Sequence, residues 1–302
     1  MKRAVSISIG SSKRDKRVEI TLLGEKVLLE RIGTDGDMEK AAHLFRILDG
    51  KVDAFGIGGT DLALRIAGKS YPLYSVQSLV RFVRHTPVVD GTGLKNTLEY
   101  RLAAFVDTYL GEYIQTHGGK KALITSSADR WGMAASFVEA GYETVLGDLM
   151  FGLGLPLPLR SLRSAETLAS VLLPIVGRLP FQWLYPTGEK QEEWSPRWGK
   201  YYQWATVIAG DCHYIKRHLP SRVEGKVIVT NTTVPADVAR FREAGAKYLV
   251  TSTPMLEGRT FGTNLLEAAL VAVAGKGRPL TEKEIINYLE RAGLKPQIQR
   301  LN

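Results

Sequence analysis

Cysteine is almost missing from this chain. One residue, Cys212, stands in 302, so no disulfide can form within it, and a reducing cytoplasmic setting is expected. No run approaches the ~18 consecutive apolar residues of a membrane-spanning helix. Met1-Lys2-Arg3 and the short apolar stretch behind it lack a cleavage pattern and read as a first strand. Histidine is scarce, and Asp211, Cys212 and His213 lie too close together to form a three-ligand set unaided, so no metal is expected. No Gly-x-Ser-x-Gly elbow occurs, which disfavours a serine hydrolase. A glycine-rich dinucleotide fingerprint is also missing.

The charge is unbalanced but dispersed. Forty basic residues against 31 acidic give a formal charge of +9, which would suit a nucleic-acid binder. Yet the densest cluster, Lys13-Arg14-Asp15-Lys16-Arg17, falls in an expected turn with no recognition motif beside it. Nucleic acid is therefore disfavoured, and a solvated surface attracting a small anionic molecule is the expected use.

Against these absences stand residues 121–148. An apolar run from Ala122 to Thr125 breaks at Ser126-Ser127-Ala128-Asp129. Apolar residues resume at helical spacing with Trp131, Ala134, Ala135, Phe137 and Val138. Gly141 stops the helix and 142–146 returns to strand-forming residues, which predicts a βαβ unit with parallel strands. A helix start presents unpaired N–H groups, so the loop of Ser126, Ser127, Asp129 and Arg130 is a candidate cofactor site. Asp148 follows at about the 20-residue offset of a ribose-binding acid. Only Gly132 stands where the fingerprint has three glycines, and simple helix capping by Ser126 or Asp129 is the competing reading.

Along the rest of the chain, 3–10 predicts a strand, 18–23 and 26–32 a hairpin, and Asp37 the cap of a helix ended by Gly50. Residues 74–84 and 98 to about 115 have helical spacing, and His117-Gly118-Gly119 then marks the expected domain boundary. The fold class is thus α/β in two domains. Residues 1–117 form an α/β substrate domain, and 118–302 a Rossmann-like, doubly wound, mostly parallel nucleotide-binding domain. An insertion at about 151–203, with a proline- and aromatic-rich stretch at 179–194, interrupts the second and reads as a lid, a partner surface or interdomain packing.

Ligands of doubly wound sheets gather beyond the carboxyl ends of the strands. Here those ends carry Thr125 to Asp129, Gly147-Asp148, Gly210 to His213, Asn231-Thr232-Thr233 and Ser252-Thr253-Pro254. Asn231, Thr232 and Thr253 suit ribose and phosphate oxygens, or equally helix caps. The 258–264 stretch puts a fixed charge beside a helix start, making Arg259, Thr263 and Asn264 candidates for a carboxylate or phosphate. For acid–base work the candidates are Asp61, Asp90 and Lys95, together with Asp211 and His213, two apart at a strand end and expected to share a face. Each is also open to a structural hydrogen bond.

Five stretches, VDAFGIGGTDL, TPVVDGTGLKNTLE, LPFQWLYPTGEKQ, AGDCHYIKRHLP and FGTNLLEAALVA, resemble the bacterial family labelled quinate 5-dehydrogenase, over nearly the whole chain. The resemblance implies the layout of shikimate and quinate dehydrogenases, a substrate domain followed by a nicotinamide-binding domain with a cleft between. It implies NAD(P)-dependent oxidation of a hydroxylated carboxylic acid such as quinate. Lys95 would then assist proton removal, with Asp61 or Asp90 as its acid, Arg259 would hold the carboxylate, and the Ser126 and Asp148 loops would hold the cofactor. Asp148 favours NAD over NADP, because an acid repels a 2′-phosphate. The missing glycine loop keeps open a non-redox protein of the same fold, a transferase or ligand-binding regulatory module with another nucleotide-like ligand. Self-association into a homo-oligomer is also open.

Overall fold

The computed structural model describes residues 1–180, 194–253, 255–256 and 259–302, and of 255, 256, 259 and 260 the backbone alone. The proline- and aromatic-rich stretch of the insertion, which reads as a lid, a partner surface or interdomain packing, falls mostly in 181–193, outside the described residues. In place of one boundary after residue 117, the chain forms two compact units that alternate along the sequence. Unit 1 holds the described residues of Met1–Leu94, Val171–Gln191 and Leu256–Leu294; unit 2 holds those of Lys95–Ser170, Glu192–Met255 and Lys295–Asn302. The two glycines at the expected boundary end a helix. Gly118 and Gly119 have φ of 124° and 80° after helix Leu102–Thr116, and the Gly119 N–H bonds the Ile114 carbonyl at 2.9 Å.

In unit 1, strands β1 (Lys2–Ser8), β2 (Lys16–Leu22), β3 (Glu25–Gly33), β4 (Ala54–Gly58) and β7 (Val88–Val89) form a sheet in the order β2-β3-β1-β4-β7. Strands β5 (Ala63–Ile66) and β6 (Lys69–Pro72) pair separately. The expected hairpin is β2–β3, antiparallel, and the remaining ladders of the sheet are parallel. Alternation sorts the strands into two unlike faces. Val5, Ile7, Phe55 and Ile57 pack with Ala41 and Phe45 of helix Met38–Leu48, which Asp37 caps by accepting the Lys40 N–H. The opposite face is built from Ser6, Ser8, Gly56 and Gly58, and helix Thr263–Ala274 packs on β1, β3 and β4. Their smallness is required: an added Cβ on Gly56 would lie 2.8 Å from the Asn264 carbonyl oxygen. Residues 74–84 do not form one helix. A single turn, Tyr74–Gln77, passes into a 3-10 turn, Ser78–Val80, and the Asp49 carboxylate then draws in the N–H groups of Arg84, His85 and Thr86.

Unit 2 contains the predicted βαβ unit. Strand β8 (Lys121–Ile124) leads through helix Trp131–Glu139 to β9 (Glu143–Leu146), parallel to it. Strands β10 (Val207–Ala209), β11 (Val227–Thr230) and β12 (Tyr248–Thr251) complete the parallel part, and Gln297–Arg300 adds an antiparallel edge beside β12. The spatial order is β9-β8-β10-β11-β12, so the connection reverses direction between β8 and β10. This is the 2-1-3-4-5 order of doubly wound sheets rather than the 3-2-1-4-5-6 order of dinucleotide-binding ones, with its switch point between β8 and β10. Strands buried on both faces need near-continuous apolar runs. Ala122, Ile124, Val207 and Val229 pack with Val106, Leu110, Met133 and Phe137, while Leu123, Val145, Ile208 and Ile228 pack with Tyr202, Ile215 and Phe241. Each such Val, Leu, Ile, Met or Phe side chain contributes roughly 1.5–3 kcal/mol by leaving water. Among the described residues no helix is long and apolar enough to cross a membrane.

Candidate functional site

At the carboxyl ends of β8 and β10, unit 2 gathers four charged side chains around Arg130. The guanidinium donates from Nη1 to Glu99 Oε1 at 2.6 Å and from Nη2 to Asp211 Oδ2 at 2.7 Å, and its Nε lies 3.1 Å from Asp129 Oδ2. Asp129 reaches Lys95 with its other oxygen, Nζ to Oδ1 at 2.7 Å. Arg130 and Glu99 are buried, their side chains 5% and 0% exposed, and Lys95 is nearly so at 8%. Charges out of water persist only when paired and hydrogen-bonded. Burial pushes the Glu99 carboxyl up, against the pull of Arg130 and Lys95. Burial would raise Asp211 too, but Arg130, His213 and the His213 N–H together hold it below the ordinary carboxylate range.

Several sequence expectations change here. Arg130 is committed to three protein carboxylates, so it is not available as a cofactor-phosphate ligand. Asp129 bridges Lys95 and Arg130 and does not cap helix Trp131–Glu139, which starts without a side-chain cap. Asp148 does not stand free for a ribose hydroxyl. It accepts from the Ser127 hydroxyl and, at 2.8 Å, from the Ala128 N–H, closing the β8 loop on itself. Gly132 serves packing: an added Cβ would lie 2.2 Å from the Lys95 carbonyl oxygen. The one glycine in the fingerprint position is thus covered by the chain's own backbone, and this loop does not fit a dinucleotide pyrophosphate in the fingerprint manner. Ser126 is buried, and its Oγ has no hydrogen-bond partner among the described residues.

The neighbouring strand ends are tied to the same cluster. Asn231 donates from Nδ2 to Asp211 Oδ2 at 2.9 Å and accepts from the Cys212 N–H and the Thr230 hydroxyl. Thr253 donates to the Asn231 carbonyl at 2.9 Å, so both residues brace the loops, and Thr232 is half-buried. Asp211 and His213 do not lie on a strand. Asp211 caps helix Cys212–His218 and accepts the His213 backbone N–H at 2.9 Å, because the strand ends at Ala209 and the chain turns helical.

The other candidates belong to unit 1. Asp61 is buried; Asp90 accepts the N–H groups of Leu62 and Thr92 at 2.8 and 3.0 Å and so shapes its own loop. Thr263 and Asn264 open helix Thr263–Ala274, where Asn264 Oδ1 accepts from the Ser6 hydroxyl at 3.1 Å. Arg259 lies in a short strand, and its side chain is outside the described residues. Two residues of the Arg130 cluster were not among the named site candidates: Glu99, in a 3-10 turn, and Ser252, whose hydroxyl donates to Glu99 Oε1 at 3.3 Å. A charged residue amid the apolar spacing of 98–115 was the available hint for Glu99.

The family model described as a domain of unknown function, DUF8754, matches residues 93–301, and a second, DUF8753, matches residues 3–90. No curated protein matches the chain. Among solved structures it is similar to the malic enzyme of Entamoeba histolytica, with 11% identity and a TM-score of 0.40 over 94% of this chain and 60% of that one. It is similar also to the NAD-dependent malic enzyme of Thermotoga maritima, with 14% identity and a TM-score of 0.38 over 97% and 84% of the two chains. GanP, a glucose-galactose binding protein from Geobacillus stearothermophilus, shares 11% identity at a TM-score of 0.39 over 99% and 97%. At these scores function is to be argued from the site.

Proposed function

The chain belongs to the DUF8754 family, and we propose that it acts on a hydroxylated carboxylic acid such as quinate by acid–base chemistry at Lys95. The observation that carries this reading is the Lys95–Asp129 pair, 2.7 Å apart and mostly buried beside the strand ends where doubly wound sheets bind ligands. A lysine held by a carboxylate in a site poor in water can exchange a proton with a hydroxyl oxygen, the carboxylate steadying the ammonium form. The resemblance to the quinate 5-dehydrogenase family extends this to oxidation with NAD(P), NAD being favoured on the sequence. When bound, a nicotinamide would accept hydride. Because the β8 loop does not fit a pyrophosphate at Gly132, no step is assigned through that group.

A second reading is a non-redox transferase or ligand-binding module of the same fold. The covered Gly132 and the engaged Asp148 favour it.

Thermal unfolding with quinate, NAD⁺, NADH, NADP⁺, NADPH and S-adenosylmethionine separates the two. Ligand at ~100 times its Kd stabilises the native state by roughly 2.7 kcal/mol, a shift of several degrees. Stabilisation by quinate, and turnover lost in Lys95→Ala while quinate binding persists, is the expected pattern. Turnover surviving in Lys95→Ala sinks the acid–base assignment.

A further inference from the structure

We infer that the strand-end site of unit 2 holds the hydroxyl-bearing part of its ligand and rejects pyrophosphate. The inference rests on reading this end of the sheet as the ligand site, and is independent of turnover at Lys95. Charge is the first ground. Two cations, Lys95 and Arg130, face three carboxylates, Glu99, Asp129 and Asp211, and each cation is already ion-paired. A phosphate group arriving here meets two cations that are already held by carboxylates, and two partly exposed carboxylates, Asp129 and Asp211, that repel it.

Access is the second ground. Backbone cradles for phosphates depend on glycines that allow close approach, and Gly132 is covered by the Lys95 carbonyl. Asp148 spends both carboxylate oxygens on Ser127 and Ala128, which holds the loop in its present shape.

What the site offers instead is acceptors. The carboxylates of Asp129 and Asp211 retain 28% and 15% side-chain exposure and can take hydroxyl donors. Ser126, more than nine-tenths buried in the same loop, has a hydroxyl with no partner among the described residues. Buried polar groups are nearly always paired, and a ligand hydroxyl is the partner of matching chemistry.

The test uses the full chain with four probes, myo-inositol, quinate, inorganic pyrophosphate and ADP-ribose, read by thermal unfolding and titration calorimetry. Myo-inositol or quinate should raise the midpoint, with little dependence on salt for the neutral polyol, while pyrophosphate and ADP-ribose leave it unmoved. Ser126→Ala should fold with an unchanged or higher midpoint, since it removes an unpaired buried hydroxyl, and should bind the polyol at least tenfold more weakly. Stabilisation by pyrophosphate or ADP-ribose overturns the inference, as does indifference to both polyols or undiminished binding in Ser126→Ala. Turnover surviving in Lys95→Ala would sink the acid–base assignment and leave these binding results standing.

Discussion

Arg130 Nη1 lies 2.6 Å from Oε1 of Glu99, a contact between two buried side chains 31 positions apart. It fastens the β8 loop to the turn at Glu99–Arg101, and through Nη2 the same guanidinium fastens that loop to Asp211 at the end of β10. The planar fork of arginine suits this double role and the point charge of lysine does not. The organising element of unit 2's strand-end site is therefore one cation held by three acids, and Lys95 owes its placement to the third of them, Asp129.

Removing the fork should be severe. Arg130→Met leaves Glu99 and Asp211 without their cation, and breaking a buried pair costs ~3–5 kcal/mol. At roughly 2–4 °C per kcal/mol for a unit of this size, the unfolding midpoint should fall by about 6–20 °C. Adding Glu99→Gln to Arg130→Met should restore part of the loss, because one stranded charge is gone. A double variant no more stable than the single would show that Glu99 is not held by Arg130.

Two glycines of unit 2 should respond in opposite directions. At Gly132 an added Cβ would meet the Lys95 carbonyl oxygen at 2.2 Å and Asn96 Cα at 3.2 Å. Gly132→Ala should destabilise by ~1–3 kcal/mol or more, outweighing the ~1 kcal/mol gain in helix propensity. Gly111 lies inside helix Leu102–Thr116 with nothing within 4 Å of an added Cβ. Gly111→Ala should stabilise by ~0.5–1 kcal/mol. Denaturant titration of both variants checks the pair, and a neutral Gly132→Ala would mean that helix Trp131–Glu139 is free to move away from Lys95.

What the sequence made legible follows from the range of each interaction. The βαβ unit at 121–146, the β2–β3 hairpin and the Asp37 cap are written in local periodicity and turn chemistry. The return of helix Thr263–Ala274 to unit 1 is not local, since it depends on a face of β1 and β4 far back in the chain. That face carries a sign nonetheless: Ser6, Ser8, Gly56 and Gly58 alternate with Val5, Ile7, Phe55 and Ile57, so one side is too small to pack unless a helix lies close. The Glu99–Arg130 contact carries no comparable sign. Charged residues read as solvated until the fold sets them opposite each other, and Glu99, Asp129 and Asp211 were separated by enough chain to look independent.

Asp148 should matter to the β8 loop without touching the ion cluster. Its oxygens hold the Ser127 hydroxyl and the Ala128 N–H, so Asp148→Ala leaves both donors to find other partners, at a cost of ~1–3 kcal/mol. Amide hydrogen exchange should accelerate at Ala128 while the amides of β8 remain protected. Unchanged protection at Ala128 would assign that N–H to another acceptor.

Stability should fall as pH rises from about 4.5 to about 8, and Glu267 supplies much of the slope. This residue lies on helix Thr263–Ala274, is 4% exposed, and accepts the Leu94 N–H at 3.3 Å. Burial, and then the neighbouring Asp90 carboxylate, push its carboxyl up to about 8, whereas an ordinary one titrates near 4.5. Between these values the folded chain keeps a proton that the unfolded chain releases. Stability contributed by the protonated carboxyl is therefore complete below about pH 4.5 and lost progressively up to about 8, at no more than ~1.4 kcal/mol per pH unit. Glu99, also raised by burial, adds to the same trend, while Asp211 and Asp237, both held low, lose their stabilising charge only in acid. Glu267→Gln keeps the shape without the ionisation, so its stability should change less with pH and exceed that of the parent at pH 8. Urea unfolding at pH 5, 6.5 and 8 decides the matter: parallel curves for parent and variant would mean that Glu267 is already ionised in the folded chain.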